Sequence, residues 1–238
     1  MFPQHFTVLS FYQKKKDIWI YRAQDEEHHY ILKCIRSGQS DLHQAILDEY
    51  ESLCHLSHPG IPSYFGLCEN FVLPDRAESV TALCMEECTG IPLLKKASFL
   101  SVNDTLSILF SIGEILSFLL QNGILYTDLH PSNILIRELG DHYSVTLLDF
   151  TCCYYFLKNP NPSYPLRFSY NLSPDLKGQH MLIQELSLLF HALLSLHNNT
   201  REEMNLPFRV CMLLETGNHP EETLSLEDFL RMIKECII

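Results

Sequence analysis

The chain has 238 residues, of which 46% are hydrophobic and 19% are charged. This composition predicts a globular protein with a sizeable core and excludes a disordered chain. The formal net charge of −12 at pH 7 disfavours nucleic acid or an anionic membrane as the principal partner, because both carry negative charge themselves.

The cysteines and the apolar runs predict where the protein resides. Nine cysteines, an odd number without zinc-type His/Cys spacing, favour reduced thiols over disulfides or a zinc site. The apolar runs 106–120 and 181–196 are too short and too interrupted by polar residues to span a bilayer. The first residues lack the basic start and apolar core of a signal peptide. We therefore expect a cytoplasmic protein with no membrane insertion.

The first 88 residues predict a small antiparallel sheet with one helix. Residues 6–35 have the pattern of three strands, with turns near 14–17 and 24–28. A helix is predicted over 41–56, where apolar residues recur at three- and four-residue spacing before Pro59 and Pro62. Residues 64–88 would complete the sheet.

After residue 88 the pattern becomes mainly helical. A long helix is predicted from about 103 to 121, with Asn103 or Asp104 as N-cap candidates and Gly123 after its end. The run 181–196 is apolar nearly all round, as expected of a central helix. Ser225, with an acidic residue three positions later, predicts the start of a final helix. The whole pattern predicts an α+β fold.

The segment 126–136, YTDLHPSNILI, is the most informative for function, together with LLDF at 147–150. Asp128 could accept a proton from an attacking hydroxyl. Asn133 and Asp149 offer hard oxygens to Mg²⁺, which keeps part of its water shell and takes few protein ligands. This spacing resembles the catalytic loop and the metal-binding Asp-Phe-Gly element of the protein kinase family.

Further segments resemble the same family in the same order. Lys33, within HYILKCI, resembles the strand lysine that holds the α- and β-phosphates of ATP. Glu49 stands where the family keeps the glutamate that pairs with this lysine, and Glu51 is the alternative. Met85 resembles the residue at the gate of the adenine pocket. The backbone of three following residues would contact the adenine edge: Glu86, Glu87 and Cys88.

The resemblance implies one protein kinase-like domain over residues 1–238. Its N-lobe would be residues 1–88, with the sheet and one helix, and its C-lobe residues 89–238, mainly helical and reduced. ATP and Mg²⁺ are the implied cofactors, with Asn133 and Asp149 as metal ligands. The chain is most similar to small, divergent eukaryotic-like Ser/Thr kinases of bacteria.

The region that should form the glycine-rich loop departs from the family. Residues 11–20, FYQKKKDIWI, contain no glycine, so the backbone cannot approach phosphates by the usual route. The lysines at 14–16 either supply charge toward the phosphates or form a solvated hairpin tip. Runs of lysine normally point to water, which favours the tip.

Other departures lie around the catalytic motifs. His130 replaces a lysine, resembles the aminoglycoside phosphotransferase branch of the same fold, and would donate a hydrogen bond to the transferred phosphate. Thr151 replaces the glycine after Asp149-Phe150. Gln184 replaces a buried aspartate that braces the catalytic loop. The segment 173–175 resembles the Ala-Pro-Glu element, and residues 196–206 predict a loop in place of a helix.

We therefore expect a protein kinase that transfers the γ-phosphoryl group of ATP to a Ser or Thr hydroxyl of a protein substrate. Asp128 would orient and deprotonate that hydroxyl, Lys33 and Glu49 would hold ATP, and His130 would contact the γ-phosphate. Two alternatives remain. The lost glycines favour a pseudokinase that acts as a binding or regulatory module, and His130 favours a small-molecule kinase.

Overall fold

The computed structural model describes residues 2–3, 5–38, 40–140, 142–155, 176–196, 208–220 and 223–237. These residues belong to two compact units, Met1–Cys88 and Thr89–Ile238. The first is an antiparallel sheet with a helix, and the second is mainly helical. The predicted α+β class is therefore confirmed. The predictions for residues 173–175 and 196–206 fall outside the described residues, apart from Leu196 at the end of a helix.

The first unit contains a five-stranded antiparallel sheet in the order β1-β2-β3-β5-β4. Its strands are β1 Val8–Lys15, β2 Ile18–Gln24, β3 His29–Arg36, β4 Tyr64–Val72 and β5 Ser79–Glu86, and its helix is α1 Ser40–Leu53. The predicted strands are present. The helix ends three residues before its predicted end, because the Leu56 N–H turns back to the Leu53 carbonyl at 3.0 Å.

Both faces of this sheet are covered. On one face, Trp19, Tyr21 and Leu32 belong to a buried cluster against which the N-terminal residues Phe2 and Phe6 pack. The chain passes so close at Phe2 that a Cβ atom added to Gly66 would lie 2.4 Å from the Phe2 backbone nitrogen. Aromatic residues near the start of the chain therefore form part of the core.

The opposite face packs on α1 and carries a buried ion pair. Ile46 of α1 joins Ile35 and Leu83 of the sheet in a second cluster. Within this unit, Lys33 Nζ lies 2.9 Å from Glu49 Oε2, and the two side chains are 5% and 0% exposed. The pair fixes α1 to β3, because neither charge has water to replace its partner.

The described part of the second unit contains two small sheets and five α-helices. The strands are β6 Ile91–Pro92, β7 Ile124–Leu125, β8 Ile134–Leu139, β9 His142–Leu147 and β10 Tyr154–Tyr155. The helices are α2 Leu93–Lys96, α3 Val102–Gln121, α4 Leu176–Leu196, α5 Phe208–Asn218 and α6 Leu226–Cys236. Strands pair in the orders β6-β8-β9 and β10-β7.

The start of α3 differs from its prediction. Its N-cap is Ser101, whose Oγ accepts the Asp104 N–H at 3.0 Å, while Asp104 Oδ2 accepts the Ser101 N–H at 3.0 Å. Asp104 is therefore the third helical residue of a capping box, and the predicted N-caps Asn103 and Asp104 were wrong. Ser225 caps α6 as predicted, by accepting the Asp228 N–H at 3.1 Å.

One helix in the described part of the chain, α3, is long and apolar enough to cross a membrane by length and composition alone. Half of its most apolar window is buried inside the protein, and it packs on β9, α4 and α6. The core helix of a globular protein has the same properties, so α3 is weak evidence for a membrane span.

Replacing Glu49 with Gln should destabilise the protein by about 3 kcal/mol, because it leaves the buried Lys33 ammonium without its counter-charge. Equilibrium unfolding in denaturant measures this loss. Glu51→Gln is the matched control, since Glu51 lies on the same helix but is exposed, and it should change stability by less than about 0.5 kcal/mol. Equal losses in the two variants would contradict the importance of the pair.

Candidate active site

The first unit contributes an ammonium group whose carboxylate partner accepts a further hydrogen bond. Lys33 Nζ contacts both carboxylate oxygens of Glu49, at 3.0 and 2.9 Å. Glu49 Oε1 also accepts a hydrogen bond from the Tyr64 hydroxyl at 3.0 Å. The structure therefore pairs Lys33 with Glu49 and not with the alternative, Glu51. The tyrosine was not predicted, because its proximity depends on how β4 pairs with β5.

The predicted adenine contacts lie at the end of β5 and directly after it. Met85 is buried and pairs with Ile31 of β3, which places it on the sheet face that carries Lys33. The Glu86 N–H donates to the Ser63 carbonyl at 2.9 Å, and the Glu87 N–H donates to the His29 carbonyl at 3.2 Å.

These two amide groups therefore donate inside the unit. Contact of the backbone of residues 86–88 with the adenine edge stays a prediction. The Cys88 thiol remains protonated, because burial raises its pKa to about 12 and the Glu86 charge acts in the same direction.

A tight hairpin occupies the place of the glycine-rich loop. Lys15 of β1 pairs with Ile18 of β2, which leaves a two-residue turn, and Lys16 in that turn has φ of 52°. The side chains at 14–16 are all exposed. In a hairpin this short, the backbone N–H groups next to the turn are used in hydrogen bonds between the two strands. They therefore do not form a row of free donors for phosphates.

The strand register separates the lysines of the hairpin. Lys14 pairs with Trp19, and its Nζ lies 5.9 Å from the Trp19 ring centroid. Trp19 in turn pairs with Cys34, whereas Ile18, the partner of Lys15, pairs with Ile35. Directly paired residues share a sheet face and neighbours alternate. Lys14 therefore lies on the face opposite Lys33, and Lys15 lies on the same face as Lys33.

In the second unit, the loop before β8 joins Asp128 to Asn133. The Asn133 Nδ2 donates to Asp128 Oδ2 at 2.8 Å and to the Asp128 carbonyl at 3.3 Å. Asn133 is buried, which fixes its amide. Because the amide nitrogen is used in this way, the Asn133 Oδ1 is the atom that can face a cation.

His130 caps the short 3-10 turn Pro131–Asn133. Its Nδ1 accepts the Ser132 N–H at 3.2 Å and lies 2.7 Å from the Ser132 Oγ. An accepting Nδ1 carries no proton, so the hydrogen of the neutral ring is on Nε2. His130 is exposed, and this geometry leaves Nε2–H as its donor.

Asp149 follows β9 and lies next to this loop. The Leu148 N–H donates to the Asn133 carbonyl at 2.8 Å, and Asp149 itself has φ of 62°. Its Oδ1 accepts a hydrogen bond from the Thr151 hydroxyl at 3.0 Å. Loop and strand end are therefore joined through the backbone, with Asp128, Asn133 and Asp149 within one local structure.

Tyr126 connects the loop that contains Asp128 to the segment around Asp149. Its hydroxyl donates to the Leu148 carbonyl at 2.5 Å, and its ring meets the Phe150 ring edge-on at 5.2 Å between centroids. Burial raises the pKa of Tyr126 well above its ordinary value, and the carboxylates of Asp149 and Asp128 add to the effect. The phenol thus stays protonated and remains a donor.

The donor set fits Mg²⁺. An amide oxygen of Asn133 and a carboxylate of Asp149 are hard ligands, which is what this ion prefers. Among the described residues, no cluster of three or more His, Cys, Asp or Glu side chains would form a metal cage. Mg²⁺ does not require one, since it retains several waters.

Gln184 of α4, which stands in place of the family's buried aspartate, is exposed. The loop that contains Asp128 is held by the two residues before it: the Tyr126 hydroxyl donates to the Leu148 carbonyl, and the Thr127 Oγ1 donates to the Cys152 carbonyl at 2.5 Å. The sequence signal for this was the pair of hydroxyl residues directly before Asp128.

Comparisons with known proteins identify the family of the chain. The protein kinase domain model matches residues 18–176. Over 126 residues the chain is 28% identical to the serine/threonine-protein kinase PknG of Mycolicibacterium smegmatis, a match that covers 50% of this chain and 16% of that protein. The chain thus spans less than two thirds of that relative.

A solved structure shares the fold. The kinase domain of Mycobacterium tuberculosis PknI superposes with a TM-score of 0.66 and 18% identity, covering 98% of this chain and 97% of that domain. The family match extends over more than half of the residues, and the chain therefore belongs to the protein kinase domain family, with a fold like that of bacterial Ser/Thr kinases.

Proposed function

We propose that the chain is an ATP-dependent protein kinase that phosphorylates Ser or Thr hydroxyls of a protein substrate. The buried Lys33–Glu49 pair carries this proposal. A buried ion pair is often no more stable than apolar residues of similar volume. A chain without a phosphate to hold would lose little by replacing it, so function explains the pair better than stability does.

The chemistry assigned to Asp128 follows from its contact with Asn133. The amide of Asn133 holds Asp128 Oδ2, which leaves Oδ1 to accept the proton of the substrate hydroxyl. As that proton moves to Asp128, the hydroxyl oxygen forms a bond to the γ-phosphorus and the bond to the β-γ bridging oxygen of ATP breaks. Positioning supplies most of the acceleration in such transfers.

Phosphoryl transfer also requires that the negative charge of the ATP phosphates is stabilised. Lys33 would contact the α- and β-phosphates, with Glu49 keeping its ammonium in place. Asn133 and Asp149 would hold Mg²⁺, which when bound neutralises charge on the phosphate oxygens. His130 would donate from Nε2 to the γ-phosphoryl group, because its Nδ1 accepts the Ser132 N–H.

The proposal also covers the two lobes of the domain, its location in the cell and its partner. The two units would be the N-lobe, residues 1–88, and the C-lobe, residues 89–238, of one kinase domain. The location would be cytoplasmic, since nine cysteines, an odd number, favour reduced thiols over disulfides. The partner would be a protein with an exposed Ser or Thr, and not nucleic acid.

One observation favours a pseudokinase as the second candidate. The β1–β2 hairpin closes with a two-residue turn, so it has no glycine-lined backbone to donate to phosphates. A binding module could retain nucleotide weakly, or not at all, with this hairpin. Nucleotide binding and transfer therefore have to be measured separately.

If Asn133 and Asp149 hold the metal, ATP should raise the melting temperature only when Mg²⁺ or Mn²⁺ is present, by mass action on the native state. Asp149→Asn should abolish the metal-dependent part. Glu114→Gln is the control, because it removes one exposed carboxylate from the same unit and should behave as the parent protein. No response of the parent protein in millimolar Mg-ATP would favour the pseudokinase.

Replacing Asp128 with Asn should lower the phosphorylation rate by roughly 10²- to 10⁴-fold while ATP affinity changes little. The amide keeps an oxygen for the Asn133 hydrogen bond but removes the proton acceptor. Transfer of labelled γ-phosphate to protein acceptors measures the rate, and thermal shift measures affinity. A variant as active as the parent would show that another residue, or a contaminant, supplied the activity.

The hairpin lysines should contribute little to ATP binding, because exposed charges interact weakly through water. Lys15→Gln tests the residue on the Lys33 face, and Lys14→Gln is its control on the opposite face. We expect both to change ATP and adenosine affinity by less than about threefold, since each removes only a screened charge. A tenfold, ATP-selective loss in Lys15→Gln alone would instead place that lysine at the phosphates.

A further inference from the structure

The segment 148–152 is held by hydroxyl groups at every second residue. The Leu148 carbonyl accepts from Tyr126 at 2.5 Å, the Phe150 carbonyl from Tyr155 at 2.7 Å, and the Cys152 carbonyl from Thr127 at 2.5 Å. A fourth hydroxyl, that of Thr151, donates to the Asp149 side chain itself at 3.0 Å.

Asp149 needs such support because its backbone is strained. With φ of 62° it is in the left-handed region, which costs a residue with a Cβ about 1 kcal/mol or more. Thr151 is β-branched and restricts its own backbone further, where a glycine would be permissive. Such a conformation persists only where its surroundings determine it.

The donors that surround Asp149 are well suited to that task. Tyr126 and Tyr155 are 1% and 6% exposed, so their hydrogen bonds to the carbonyls meet little competition from water. The Cys153 N–H also donates to the Phe150 carbonyl at 3.1 Å. The carbonyls on either side of Asp149 are thus both anchored, which leaves its carboxylate as the part still to be oriented.

We propose that the four hydroxyls of Tyr126, Thr127, Thr151 and Tyr155 form a lock on residues 148–152, and that Thr151 is a positioning residue for the metal ligand Asp149. The Thr151 hydroxyl holds Asp149 Oδ1 and thereby limits rotation of the carboxylate. In the lock, hydrogen bonds from side chains restrict the backbone of residues 148–152. This inference rests on the proposed function for the role of Asp149, but the lock itself is independent of any ligand.

Thr151→Val tests the positioning role, because valine keeps the shape and the β-branch and removes only the hydroxyl. The Mg²⁺ concentration for half of the ATP-induced thermal shift should rise about tenfold, as expected when one charge-assisted hydrogen bond is lost. Thr151→Ser should restore it to within about twofold, since the hydroxyl returns. Thr146→Val, the same substitution within β9, is the control and should leave the midpoint unchanged.

Hydrogen exchange of the metal-free, nucleotide-free protein tests the lock without the reaction. In Thr151→Val and in Tyr126→Phe, amides of residues 148–153 should exchange about tenfold faster than in the parent protein, while those of α3 stay the same. Tyr126→Phe keeps the ring packed on Phe150, so local loosening is separable from unfolding.

The outcomes separate the two hypotheses. An unchanged Mg²⁺ midpoint in Thr151→Val, with a normal response of the parent protein, would overturn the positioning role alone. Unchanged exchange in both variants would overturn the lock. A parent protein with no Mg²⁺-dependent response would overturn the proposed function and the positioning role together, and faster exchange in the variants would still support the lock.

Discussion

Burial of two opposite charges is costly unless they pair with each other. The first unit contains one such buried pair, and its helix is positioned by it. Lys33 points from the middle strand of the sheet toward α1, and Glu49 points back from that helix. The helix cannot rotate or slide without separating them, and Tyr64 adds a hydrogen bond from β4. The position of α1 is therefore set by chemistry as well as by apolar packing.

The second unit reaches a defined geometry by a different route. Its acidic and amide groups lie on short loops, where backbone is usually mobile. Here the loop residues are fixed by neighbours that donate hydroxyl or amide hydrogens, as Asn133 does to Asp128. Side chains with donors can thus take over a task that a glycine or an ionic brace performs elsewhere, provided that they are buried enough to exclude water.

Some features of the structure could be predicted from the sequence, and others could not. Lys33 and Glu49 could be identified because they stand where the protein kinase family keeps its strand lysine and the glutamate that pairs with it, and the structure pairs them. The N-cap of α3 was missed because Asn103 and Asp104 are themselves common caps, and only the geometry shows that Asp104 folds back on Ser101. Local propensity does not decide between adjacent cap candidates.

The register of strand pairing was the second feature that could not be predicted from the sequence. Which hairpin lysine shares a face with Lys33 depends on the pairing of β1 with β2 and of β2 with β3, and a shift by one residue reverses every side chain. The use of the Glu87 N–H by the His29 carbonyl likewise depends on long-range pairing. Motif spacing locates the residues that do chemistry, but the hydrogen bonds that position them come from parts of the chain far apart in sequence.

The close approach of the first residues to the sheet has an evolutionary consequence. Gly66 has no room for a side chain because the Phe2 backbone lies against it. That restriction disappears in any relative whose chain takes another path before β1. Positions 2 and 66 are therefore coupled, so that an aromatic start and a glycine in β4 should be inherited together, and the loss of the first should release the second to vary.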